Sequence, residues 1–159
     1  MQIRVLAVGR IKEKYLQDGI AEYEKRLRPY AKVQIVEISE EKRPASATPS
    51  IEKITLEKEG ERILAVVPEG SFIIALDVKG ISWSSEELAA SFREWELSGQ
   101  NQIAFVIGGD LGLSQAVIAR SNVRLSFSKM TFTHPLARLL LVEQVYRAFR
   151  IMRGEPYHK

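Results

Sequence analysis

IAFVIGGDLGLS (Ile103–Ser114) opens with five apolar residues closed off by glycine, a run too short for an ordinary helix that therefore reads as a strand. Gly108, Gly109 and Gly112 then allow a tight turn and a close backbone approach, and Leu113–Ala119 reads as a short helix. A strand apolar at every position is buried on both faces, which is the habit of parallel sheet. The same alternation extends in both directions. Ile3–Val8, Val33–Ile38, Phe72–Asp77 and Leu125–Ser128 read as further strands. Leu16, Ile20, Tyr23 and Leu27 step by four, three and four along one helical face that ends near Pro29. Ile51–Leu64 and Leu88–Trp95 read as two more helices, and a last one starts at Pro135 and continues through Arg150. Strand and helix in repeated order predict an α/β fold with a mostly parallel sheet covered by helices on both faces.

The chain of 159 residues is the length of one domain, taken as 1–159, and at 45% hydrophobic content it has an ordinary core to bury. It has no cysteine, which removes disulfides, thiolate zinc sites and thiol nucleophiles and suits a reducing cytoplasm. The longest uncharged stretch, Leu97–Gly109, has 13 residues, short of the roughly 18 that would suggest a membrane span. Two histidines, His134 and His158, with no third ligand in view give no case for a metal. The formal charge of +3 is uneven: Arg120–Lys159 holds 8 basic and 2 acidic residues, net +6, so residues 1–119 carry net −3. Arg138, Arg147 and Arg150 read as a surplus on the last helix that suits a polyanion such as RNA.

In parallel α/β sheets ligands bind at the carboxyl ends of strands, which singles out three segments. GGDLG after Ile107 is neither the dinucleotide fingerprint nor a P-loop, and reads as either a structural turn or a ligand loop. ALDVKG (Ala75–Gly80) reads as a turn, with Asp77 supplying an Asx bond and Gly80 a positive φ. LSFSKMTFTHP (Leu125–Pro135) mixes hydroxyls with Phe127, Met130 and Phe132, as the lining of an apolar pocket would. The tail RGEPYHK (Arg153–Lys159) ends in Tyr157 and His158, either disordered or part of a site.

These segments, with MQIRVLAVGRIKE at the start, EYEKRL and the stretch LSFSKMTFTHPLARLLLVEQVYRAFRIMRGEPYHK, resemble the ribosomal large subunit methyltransferase H family over essentially the whole length. That family is a small SPOUT class. The resemblance implies an α/β-knot with a C-terminal trefoil knot, which general topology rules would not have suggested. It also implies a homodimer and an S-adenosylmethionine-dependent transfer of a methyl group to N3 of a pseudouridine in 23S ribosomal RNA of the assembled ribosome. Matched residue by residue, it assigns Leu76, Gly108 and the segment Phe127, Ser128, Lys129, Met130, Thr131 and Phe132 to the cofactor. Because the acceptor N3–H must lose its proton, Arg147 and His158 are the expected acceptor-side groups, with Tyr157 shaping the base pocket. The rival class is a non-catalytic α/β module that binds nucleotide or RNA.

Overall fold

The computed structural model describes residues 1–159. It has strands β1 (Gln2–Val8), β2 (Lys32–Ile38), β3 (Phe72–Ser82), β4 (Gln102–Ile107) and β5 (Val123–Ser126). Between and after them lie helices α1 (Lys14–Leu27), α2 (Pro49–Val66), α3 (Ser85–Leu97), α4 (Gln115–Arg120) and α5 (His134–Met152). The strands form one sheet in the order β2-β1-β4-β3-β5, and every pairing is parallel.

Alternation of side chains along each strand divides the core in two. Ile3, Val5, Ala7, Ile74, Ile103, Phe105 and Ile107 point to one face, where Phe92 and Trp95 of α3, Leu27 of α1 and Leu141, Val145 and Phe149 of α5 cover them. Leu6, Val8, Ile73, Ala104 and Val106 point to the other, against Ile63 of α2 and Val117 of α4. This double coverage is why those strands are apolar at consecutive positions. The connections α1 and α3 carry the chain toward β2, and α2 and α4 carry it toward β5. Crossovers of one hand that run in opposite directions must lie on opposite faces, as they do here.

Helix ends follow from local chemistry. The hydroxyls of Thr48, Ser84 and Ser114 accept the N–H groups of Ile51, Glu87 and Val117 at the starts of α2, α3 and α4. At α3 the bond is reciprocal, since the Ser84 N–H donates to Glu87 Oε2 at 2.6 Å. Ser84→Ala should therefore cost about 1 kcal/mol, or roughly 2–4 °C in Tm for a chain of this size. Thermal unfolding followed by circular dichroism checks this, and an unchanged Tm would contradict it.

The structure corrects the sequence reading at four places. β5 lies two residues earlier than Leu125–Ser128, because Val123 and Arg124 pair with Ile74 and Ala75. β3 does not end at Asp77. Asp77–Gly80 bulges out and Ile81 and Ser82 return to β5, while Asp77 makes its Asx bond to the Lys79 N–H at 3.1 Å. Gly80 does not have a positive φ. It is required there because a Cβ would stand 2.5 Å from the Arg124 carbonyl oxygen. Arg138 is not a surface residue: only 3% exposed, it donates to Glu37 Oε2 at 2.9 Å and to the Gly9 carbonyl at 3.1 Å.

Candidate functional site

Adjacent parallel strands end on one edge, and β4, β3 and β5 are consecutive in the sheet. Leu76, the last residue of β3 before its bulge, stands in register with Leu125, and Ala75 with Val106, so Leu76, Gly108 and Phe127 lie toward the carboxyl ends of three neighbouring strands. Gly108 is buried, and a Cβ on it would stand 2.5 Å from the Gly112 carbonyl carbon and closer still to its oxygen. The turn that follows is closed by the Gly112 N–H donating to the Gly109 carbonyl at 3.0 Å, with Gly112 at φ +85°. Only glycine permits this backbone-to-backbone contact.

The segment after β5 is braced at one residue and open elsewhere. Ser126 Oγ donates to the Ser128 carbonyl at 2.9 Å, and Ser128 Oγ accepts the Met130 N–H at 3.0 Å. Phe127 packs against the main core, while Met130 is 75% exposed and Lys129, Thr131 and Phe132 also face solvent. Exposed apolar side chains after β5 and a closely packed glycine turn after β4, with only β3 between those strands, suit a cofactor with a flat heterocycle, held by backbone groups and covered by hydrocarbon. Of the predicted cofactor residues, all eight therefore lie along this edge.

A second cluster lies along α5. Gly154, at φ +64°, reverses the chain, and the Gly154 and Glu155 N–H groups cap α5 through the Ile151 and Arg150 carbonyls. The tail then folds back over the helix. Tyr157 Oη donates to Glu143 Oε1 at 2.9 Å, lies 3.3 Å from Tyr23 Oη, and sets its ring edge-on to Tyr146 at 4.8 Å. The Arg147 guanidinium stands 4.7 Å from the Tyr157 ring centre and grips Glu143 Oε1 through Nε at 3.2 Å and Nη2 at 2.6 Å. Its Nη1 is 3.3 Å from His158 Nδ1. A guanidinium only donates, so Nδ1 accepts and the proton sits on Nε2, which lies 2.8 Å from Glu86 Oε1.

Arg147, Tyr157 and His158, the three residues the sequence nominated for the acceptor side, are thus brought together, with Arg147 touching Glu143, the Tyr157 ring and His158. Hydrogen bonding to Glu143 raises the Arg147 guanidinium further above its usual value, so it stays charged. Burial, helped by Tyr23 and Glu143, pushes the Tyr157 phenol well above the ordinary tyrosine range. Tyr157→Phe should accordingly leave the tyrosinate absorbance that develops near about pH 10 unchanged. Loss of one phenol from that range would contradict the docked tail.

The arginines are more committed than the sequence suggested. Arg124 pairs with Asp77, Arg138 with Glu37, Arg147 with Glu143 and Arg150 with Glu155, the last at 2.8 Å. Arg150 also donates to Tyr30 Oη and to the Pro156 carbonyl, each at 3.1 Å. Arg120, Lys129, Arg153 and Lys159 are the cations of the last quarter without an acidic partner, and all four are exposed. No hydrogen bond joins the tail to Gly108 or to Phe127–Phe132. Sequence reasoning missed Glu86, Tyr23 and Tyr30, whose only signal was a polar or aromatic residue on an otherwise ordinary helix start or helix end.

Comparison with known proteins bears on the family and the fold. A family model described as "Predicted SPOUT methyltransferase" matches residues 1–158. A Methanoregula boonei relative is 61% identical over 159 residues, covering 100% of both chains. Relatives from Carboxydothermus hydrogenoformans and Listeria monocytogenes, 53% and 55% identical over the same full length, are each named ribosomal RNA large subunit methyltransferase H. Among solved structures, a "probable methylase family protein" of Haemophilus influenzae matches with TM-score 0.54 at 14% identity, over 99% of this chain and 70% of that one. A "Probable Methyltransferase" of Bordetella pertussis matches with the same score and identity over 92% and 95%. Those two show the fold. With a family match running almost end to end and the glycine turn at the carboxyl edge of a five-stranded parallel sheet, the chain belongs to the SPOUT methyltransferase family.

Proposed function

We propose that this protein transfers a methyl group from S-adenosylmethionine to N3 of a pseudouridine in 23S ribosomal RNA of the assembled ribosome, in the cytoplasm, as a homodimer with a knotted C-terminal segment. The observation that carries the reading is the convergence of Leu76, Gly108 and Phe127–Phe132 on one sheet edge around a glycine turn that admits no side chain. The names of the full-length relatives support ribosomal RNA as the substrate class. Pseudouridine and its N3 atom rest on the resemblance of the loops and tail.

Bound in this site, S-adenosylmethionine supplies an already activated methyl group, so the protein's work is alignment and proton management. Backbone groups around Gly108 orient the cofactor, while Leu76, Phe127, Met130 and Phe132 exclude water from it. Arg147, held charged, stabilises the anion left when N3 loses its proton. The Tyr157 phenol stays protonated and donates a hydrogen bond. His158 Nδ1 takes the N3 proton once Arg147 turns from it to the substrate. In the proposed homodimer the tail of one protomer serves the loops of its partner.

The test is incubation with methyl-labelled S-adenosylmethionine and ribosomes that lack the modification, with protein-free 23S RNA in parallel. Label is expected in the 23S RNA of the ribosomes, on a pseudouridine. Absence of transfer, or a methyl group on another base, would overturn the reading.

A further inference from the structure

Outside the two clusters, one pair of charged residues joins distant parts of the chain at the glycine turn. Arg43 Nη2 stands 2.6 Å from Asp110 Oδ2, and Nη1 3.2 Å from Oδ1, a two-point grip across 67 residues of sequence. Asp110 occupies the corner of the Gly109–Gly112 turn. Arg43 lies on the β2–α2 connection, whose beginning is itself fastened to α2. Arg62 Nη1 donates to the Ser39 carbonyl at 2.9 Å, the Glu41 N–H donates to Glu59 Oε2 at 3.0 Å, and the Glu41 carboxylate receives Arg62 and Lys58. Glu59 is only 4% exposed and its other oxygen sits beside Gly109, 3.7 Å from where a Cβ would stand. The connection is therefore anchored on α2 and reaches the turn through Arg43.

The turn needs such an anchor. Three glycines within five residues have more conformational freedom to lose than an ordinary turn of that length. A ligand that binds one conformation of a loose turn loses affinity by the fraction of time the turn spends elsewhere. We propose that Arg43 is a positioning residue for the cofactor loop, its grip on Asp110 holding the Gly109–Gly112 turn in the binding conformation before the cofactor arrives. This rests on the cofactor site proposed above. The Asp110 carboxyl, held below its ordinary value chiefly by the hydrogen bond from Arg43, is ionised for the grip across the neutral range.

The experiment is a two-residue cycle on the full chain, read by calorimetry with S-adenosylmethionine and by steady-state methylation of ribosomes. Arg43→Ala and Asp110→Asn should each raise Kd and KM for the cofactor about fivefold, with kcat at saturating cofactor unchanged. The double variant should be no worse than either single one. The swap Arg43→Asp with Asp110→Arg should recover most of the affinity. Amide hydrogen exchange at Gly112 should quicken in Arg43→Ala while Tm stays close to that of the unaltered chain. Unchanged affinity in the single variants, additive losses, or a fall in kcat with KM constant would each overturn the proposal. Failure of the unaltered chain to bind the cofactor would overturn the cofactor site and this inference with it; binding that is indifferent to Arg43 would overturn the inference alone.

Discussion

Gly108→Ala should weaken S-adenosylmethionine binding by about tenfold or more, from the 1–3 kcal/mol that overpacking of a close contact usually costs. The added methyl group meets the Gly112 carbonyl, which is backbone and has no rotamer to yield. The Gly109–Gly112 turn must therefore open, and the groups that flank the cofactor move with it. The core residues of β4 precede the turn and keep their contacts with β1 and β3, so the variant should still fold. Gly70→Ala is the matching control. Gly70 also sits in a turn, at φ +74°, but at the opposite edge of the sheet with nothing near its Cβ position. It should lose some stability and no affinity. Calorimetry on both variants checks this, and equal affinities would contradict the assignment of the glycine turn to the cofactor.

Removal of Tyr157–Lys159 should lower methylation by about a hundredfold or more, the usual contribution of a positioned acid–base group, and leave cofactor affinity close to that of the full chain. The truncation takes away His158 and the phenol and leaves Arg147 paired only with Glu143. Because it also uncovers Tyr146, a point variant keeps the result interpretable. His158→Ala retains the Tyr157 ring against Tyr146 and the hydrogen bond to Glu143, and should show most of the same loss in kcat. A truncated chain with normal turnover would remove the tail from the acceptor site.

The central strands β1 and β4 were legible because burial on both faces writes itself as runs such as IAFVI, the edge strands β2 and β5 from short β-branched stretches, and all five helices from apolar spacing or flanking turns. What was not legible was set by partners far along the chain. Asp77–Gly80 has the composition of a turn, and nothing local says that Ile81 returns to pair with Leu125. Gly80 looks like a positive-φ glycine until the Arg124 backbone is seen against it. Arg138 looks exposed because charge usually is, yet Glu37 and the Gly9 carbonyl, more than a hundred residues away, take it into the core. The same holds for the net charge of +6 in the last quarter. Its sum is read correctly from the sequence, but half of its cations are held by carboxylates within the fold. The exposed cations left without a carboxylate are Arg120, Lys129, Arg153 and Lys159 rather than the helix arginines.

Strand ends alone singled out the three segments and the tail stood out by two residues without a place in a core, while their assignment to cofactor and acceptor came from the family resemblance. The docking of the tail was beyond the sequence, since its partners Glu143, Tyr23 and Glu86 lie on three different helices. The central claim is that three strand-end segments form one cofactor site. Backbone amide chemical shifts, followed while S-adenosylmethionine is added to the full chain, test it most directly. Shifts should change together, with one affinity, at Leu76, at Gly108–Gly112 and across Phe127–Phe132. Changes confined to other parts of the chain, with those three segments unmoved, would contradict it.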